Sequence, residues 1–168
     1  MVCEQVLEQW SRQAVLEALD CNTTQSYMAG GACESTSVCC EEALPYVMTS
    51  LPFPQFNVFM KPRLDEDNAA AYVETSICLA MQNRVPITWW LGALPTPEGL
   101  GRMLAEHGFV SAASQWGMGV ELLNANLETG LKLRVAEVTH AGQLDEFSAV
   151  MCPSHGMPEA MRVPWMEM

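Results

Sequence analysis

The chain has 168 residues, 49% hydrophobic and 17% charged, a composition that supports one ordinary globular domain and excludes a disordered polymer. A net charge of −12 argues against a nucleic-acid partner, because phosphate binding depends on a positive surface. No apolar run nears the roughly 18 to 20 residues of a membrane span, and Met1-Val2-Cys3-Glu4-Gln5 lacks the basic and apolar regions of a secretory signal.

In chain order, Glu4 to about Leu19 reads as a first helix, with Leu7, Trp10, Ala14 and Ala18 on one face. Asn22 to Ser37 is rich in Gly, Ser, Thr and Asn and is expected to be a loop or a weak edge element. Val38-Cys39-Cys40 and Tyr46-Val47-Met48 read as short strands. Leu51-Pro52-Phe53-Pro54 is a stiff turn, since each proline fixes its own φ and restricts its predecessor. Phe56 to Met60 follows as an apolar strand. Asp65 is expected to open a helix whose apolar face is Ala70, Val73, Ile77 and Met81.

Ile87 to Leu91 has the length and residue types of an interior strand. Thr96 is a good N-cap and Pro97 suits the first helical position. Leu100, Met103, Leu104 and His107 then recur at helical spacing, and Gly108 sits where a left-handed C-terminal cap belongs. Trp116, Met118, Val120 and Leu122 alternate with Gly117, Gly119 and Glu121 as a one-sided strand. Leu131 to Val135 alternates in the same way. Leu144, Phe147 and Met151 mark a last short helix, and Cys152 to Met168, with three prolines, is expected to be irregular. The fold class is α/β (α+β), a mixed sheet with helices packed on it.

Candidate chemistry is sparse. Seven cysteines without an export signal point to reduced thiols and a cytoplasmic location. Cys152-x-x-His155 has the spacing of half a zinc site, but no second half is present, so no metal is expected. No local sequence supports an activated Cys/His nucleophile, and Cys78 reads as a small buried side chain. His107 reads as a helix C-terminal cation, His140 as an ordinary loop residue. Asp65-Glu66-Asp67 and Asp145-Glu146 fall near helix starts, where negative charge is favourable. Trp89 and Trp90 face opposite sides of a strand, so one can fill the core while the other packs under a helix or lines a cleft. Asn57, polar within an apolar strand, must face solvent or find partners, which makes it a candidate recognition residue. Asn57, Trp89, Trp90 and Met118 are the candidate substrate-binding residues; no catalytic residue is assignable.

The segments Tyr46 to Pro54 with Phe56-Asn57-Val58, Arg84 to Gly92, Pro95 to Leu100 with Leu104, Gly108-Phe109 and Gly117 to Leu122 resemble, in order and spacing, the N-terminal domain of tandem proteins of the GNAT N-acetyltransferase fold. Leu133 to Val138 looks like that family's last strand before the inter-domain connection. The likeness covers roughly Tyr46 to Val150. It implies a GNAT-like domain over 1–150, with 151–168 as an irregular tail or inter-domain connection. It also implies a mostly antiparallel central sheet with helices on both faces.

In that family the second domain usually carries acetyl-CoA and the first is often degenerate. The family's cofactor motif, [Gln/Arg]-x-x-Gly-x-[Gly/Ala], opens a helix after a strand, where backbone N–H groups cradle the pyrophosphate. No Gln or Arg of this chain has glycine three positions later, and in Gln115-Trp116-Gly117-Met118-Gly119 the glycines come one residue early. The resemblance therefore implies a non-catalytic half, partnered by a catalytic GNAT domain in cis or in trans, or self-associating. The alternatives are a stand-alone binding or regulatory module of the same fold and an intact small acetyltransferase.

Overall fold

A computed structural model of the chain describes residues 11–30, 36–114, 130, 135–154, 156–159 and 162. The chain divides into two compact units, Met1–Gly119 and Val120–Met168. In the first unit the elements are α1 (Arg12–Gly30), β1 (Ser37–Cys39), β2 (Tyr46–Met48), a 3-10 turn (Pro54–Phe56), β3 (Val58–Met60), α2 (Glu66–Asn83), β4 (Thr88–Trp90) and α3 (Leu100–Glu106). The second contains α4 (Ala141–Ser154).

The four strands form one mixed sheet in the order β1-β2-β3-β4. β1–β2 and β2–β3 are antiparallel, with Val38 opposite Val47 and Val47 opposite Val58. β3 and β4 are parallel, with Phe59 opposite Trp89, and α2 makes the crossover that a parallel pair requires. Alternation along the strands divides the side chains between two faces. Met48 and Phe59 join Ala69 and Val73 of α2 and Leu100 and Leu104 of α3. Val47, Val58 and Met60 point the other way and meet Tyr27 and Met28 of α1. The first unit is thus a mixed, mostly antiparallel sheet with helices on both faces.

The differences from the sequence reading have local causes. Thr24 and Ser26 do not break α1, because each hydroxyl donates to the carbonyl four residues back, Asp20 at 2.8 Å and Asn22 at 2.9 Å. Packing of Tyr27 and Met28 on the sheet then carries the helix through the expected loop to Gly30. β1 starts and ends one residue earlier than expected. β3 is shorter because Phe56 and Asn57 belong to the 3-10 turn and its end.

The buried face of α2 is Ala69, Val73 and Ser76, flanked by Tyr72 and Ile77. Ala70 and Cys78 are exposed, and Met81 is 73% exposed, so the buried face is rotated from the expected stripe by about a quarter of a turn. Asp65 does open α2: its N–H donates to Asn68 Oδ1 at 3.0 Å and its carboxylate accepts from Asn68 Nδ2 at 3.4 Å.

Thr96 is not a helix cap. It extends the parallel pairing, bridging to Arg63, with its N–H on the Pro62 carbonyl and its carbonyl accepting from Leu64 N–H. α3 starts later, from Gly99 at φ 98°. Its end is as expected: His107 Nδ1 donates to the Met103 carbonyl at 2.8 Å, and Gly108 turns the chain at φ 88°.

In the second unit α4 runs past residue 150 to Ser154. It buries Ser148 and Cys152, while Phe147 is 44% exposed. His140 caps it, its Nδ1 accepting from Gln143 N–H at 3.3 Å. The expected strand Trp116–Leu122 and most of Leu131–Val135 lie outside the described residues; 135–139 form no strand. Among the described helices none is long and apolar enough to cross a membrane.

Two predictions follow from the packing. Val73→Ala should destabilise the first unit by about 2 kcal/mol in denaturant unfolding, whereas Met81→Ala should change it by less than about 0.5 kcal/mol. All three tyrosines hold their phenols above the ordinary value of 10.0. For Tyr27 the cause is burial, for Tyr46 burial with the nearby Cys39 and Glu41, and for Tyr72 its hydrogen bond to Glu41. The fold favours the neutral phenols, so their contribution is whole below the ordinary value and is lost as pH rises through the raised values. A spectrophotometric titration should show phenolate appearing later in the folded chain than in denaturant.

Candidate functional site

The corner between β2 and β3 is built around Asn57, which is fully buried. Pro52 and Pro54 stiffen the connection, and Phe53, ahead of a proline, is extended at φ −129°, ψ 128°. Asn57 Oδ1 accepts from Thr49 N–H at 2.7 Å and from Thr49 Oγ1 at 3.3 Å. Its Nδ2 donates to the carbonyls of Leu51 at 2.9 Å and Phe53 at 3.0 Å. Two donors and two acceptor positions are all that an amide offers, so Asn57 has nothing left for a ligand. It is a structural clamp.

The tryptophans do take opposite faces. Trp89 stacks on Phe59, ring centroids 5.5 Å apart and planes at 18°, and its Nε1 donates to Ser76 Oγ at 3.1 Å. Ser76 itself is buried on α2 and donates to the Val73 carbonyl. Trp90 packs beside Val47, Val58 and Met60 on the α1 side. Both are half-buried, and their described contacts belong to the two cores. Met118 lies outside the described residues.

The structure adds a cluster that the sequence reading missed, at the carboxyl ends of the parallel pair. In open α/β sheets this is where ligands enter. Beyond Met60 opposite Trp90, the next pairing is Arg63 with Thr96, so Lys61 and Pro62 face the longer segment Leu91 to Pro95. That segment bends at Gly92, φ +72°, toward α1. Asp20 of α1, 5% exposed, receives the Ala93 N–H on its carboxylate at 3.0 and 3.3 Å. Arg63 Nη2 stands 3.5 Å from Asp20 Oδ2, while Nη1 donates to the carbonyls of Leu94 and Pro62. The available signal was an acid set in the apolar run Ala18-Leu19-Asp20-Cys21 and a glycine just after a strand.

A shallow open groove of ≈ 410 Å³ lies between the start of α2 and α3. Glu66, Glu98, Glu106 and Arg102 line it, a surface that disfavours phosphates. Among the described residues no group of three or more His, Cys, Asp or Glu side chains is placed to hold a metal ion. Comparison with protein families, with curated proteins and with solved structures found no match.

Asn57→Ala strands the Thr49 N–H and the Leu51 carbonyl, whereas the Phe53 carbonyl keeps the Phe56 N–H. The substitution should cost about 3 kcal/mol or more in denaturant unfolding, against about 1 kcal/mol for Thr49→Val, which removes only a hydroxyl. A loss under about 1 kcal/mol for Asn57→Ala would show that the corner is held by other contacts.

Proposed function

We propose that this chain is the non-catalytic, GNAT-like half of an acetyl-CoA-dependent N-acetyltransferase, where it packs against a catalytic domain and forms part of the acceptor cleft. The element order supports this reading: an N-terminal helix, an antiparallel β1–β2–β3 run, a helical crossover and a parallel β4.

The observation that carries the non-catalytic assignment is the passage from β3 into α2. In the family that the sequence resembles, a strand-to-helix turn of this kind cradles the pyrophosphate of the cofactor. Here the turn reads Lys61-Pro62-Arg63-Leu64-Asp65-Glu66-Asp67, without glycine. The N-terminus of α2 is closed by the reciprocal bonds of Asp65 and Asn68. Three carboxylates in a row oppose a diphosphate where N–H groups would otherwise attract it. Arg63, two residues before Asp65, is turned toward Asp20 and the Leu94 carbonyl.

Calorimetric titration of the chain with acetyl-CoA should give no saturable heat. Saturable binding accompanied by thioester turnover with an added amine would overturn the non-catalytic assignment. A coding sequence after Met168 that supplies a strand followed by [Gln/Arg]-x-x-Gly-x-[Gly/Ala] would place the catalytic half in cis.

A further inference from the structure

We infer that Asp20 is an internal ligand: its carboxylate fills an anion-binding site at the carboxyl ends of β3 and β4, and the same site takes a small free carboxylate when the Asp20 side chain is removed. The inference is independent of the acetyltransferase reading, since it rests only on the geometry of this cluster.

Three features make the cluster a site and not merely an ion pair. The first is that Arg63 has partners besides Asp20. Arg63 is fixed by two backbone carbonyls, Pro62 at 3.1 Å and Leu94, which direct Nη2 toward the carboxylate. Thr96, two residues after Leu94, is in turn paired with Arg63 through the sheet bridge. The second is a backbone donor: Ala93 N–H points at both carboxylate oxygens. Backbone anion sites are built from successive N–H groups around a left-handed residue, and Ala93 N–H, next to Gly92, is one such donor.

The third is close approach at Gly92. A Cβ there would stand 2.6 Å from Asp20 Oδ1 and 2.8 Å from its Cγ, so the carboxylate occupies the space a side chain would take. The φ of +72° independently favours glycine at that position. With Asp20 truncated, the guanidinium, the N–H and the space beside Gly92 remain together. What they select is a planar anion the size of formate or acetate, charge-assisted from Arg63 and bonded by Ala93 N–H.

The experiment is carboxylate recovery of Asp20→Ala. The variant should unfold at a lower temperature than the parent chain. Its midpoint should rise saturably with sodium formate and sodium acetate, as binding to the folded state alone requires. Sodium chloride at equal ionic strength should not reproduce the rise. The parent chain and the near-isosteric Asp20→Asn, whose sites stay filled, should not respond beyond the chloride control. Asp20→Ala/Arg63→Met should lose the response. If Asp20→Ala is unfolded without added ions, the same titration is run on Asp20→Ser, whose short side chain also leaves the carboxylate's place open. The inference is overturned if neither carboxylate exceeds chloride, or if the double variant responds as strongly as the single one. Neither result depends on whether acetyl-CoA binds.

Discussion

The β2–β3 corner rests on one buried amide. By taking Thr49 N–H on its oxygen and giving both its N–H groups to Leu51 and Phe53, Asn57 fixes the connection that returns the chain antiparallel to β2. A buried polar side chain costs stability unless all its bonds are made, and here all four are made. That clamp sets the register of Val47 against Val58, and with it which side chains reach which face. A shift of one residue would exchange Phe59 with Val58 and Met60 between the α2 core and the α1 core. Asn57 also receives Thr88 N–H on its backbone carbonyl at 2.9 Å, so the same residue aligns the first residue of β4.

What could be read from the sequence was whatever local chemistry decides. The prolines before Phe56, the cap at Asp65 and the reversal at Gly108 each depend on one residue's φ or one side-chain bond, and they sit where expected. Reading failed where tertiary contact overrode local preference. The Asn, Thr and Ser residues after Asp20 favour loops in isolation, yet Tyr27 and Met28 bury enough surface on the sheet to hold them helical. Thr96-Pro97 is a good helix start, yet pairing with Arg63 draws Thr96 into the sheet first. The α2 stripe was misplaced because Ser76 and Tyr72, polar by type, belong to the buried side once Trp89 and Glu41 supply their partners.

The candidate site was the least legible part for a related reason. Polar residues in apolar strands attract attention as recognition groups, but the same isolation makes them the natural clamps of a fold. Asn57 and the indole of Trp89 are both occupied internally. The Asp20 cluster could not be assembled from sequence at all. Its members are separated by 43 residues and then about 30 more, and only the parallel pairing of β3 with β4 brings them together.

That placement bears on how a fold can fill its own anion-attracting positions. The carboxyl ends of a parallel pair are where strand polarity leaves N–H groups and helix starts facing outward, ready for an anion. In this chain the first of those positions is held by Asp20 and the second, at α2, is closed by Asp65 with Asn68 and surrounded by acids. Each of these side chains satisfies locally backbone groups that would otherwise attract an anion. Both positions are thereby filled from within the chain, by side chains that the helices α1 and α2 already hold in place.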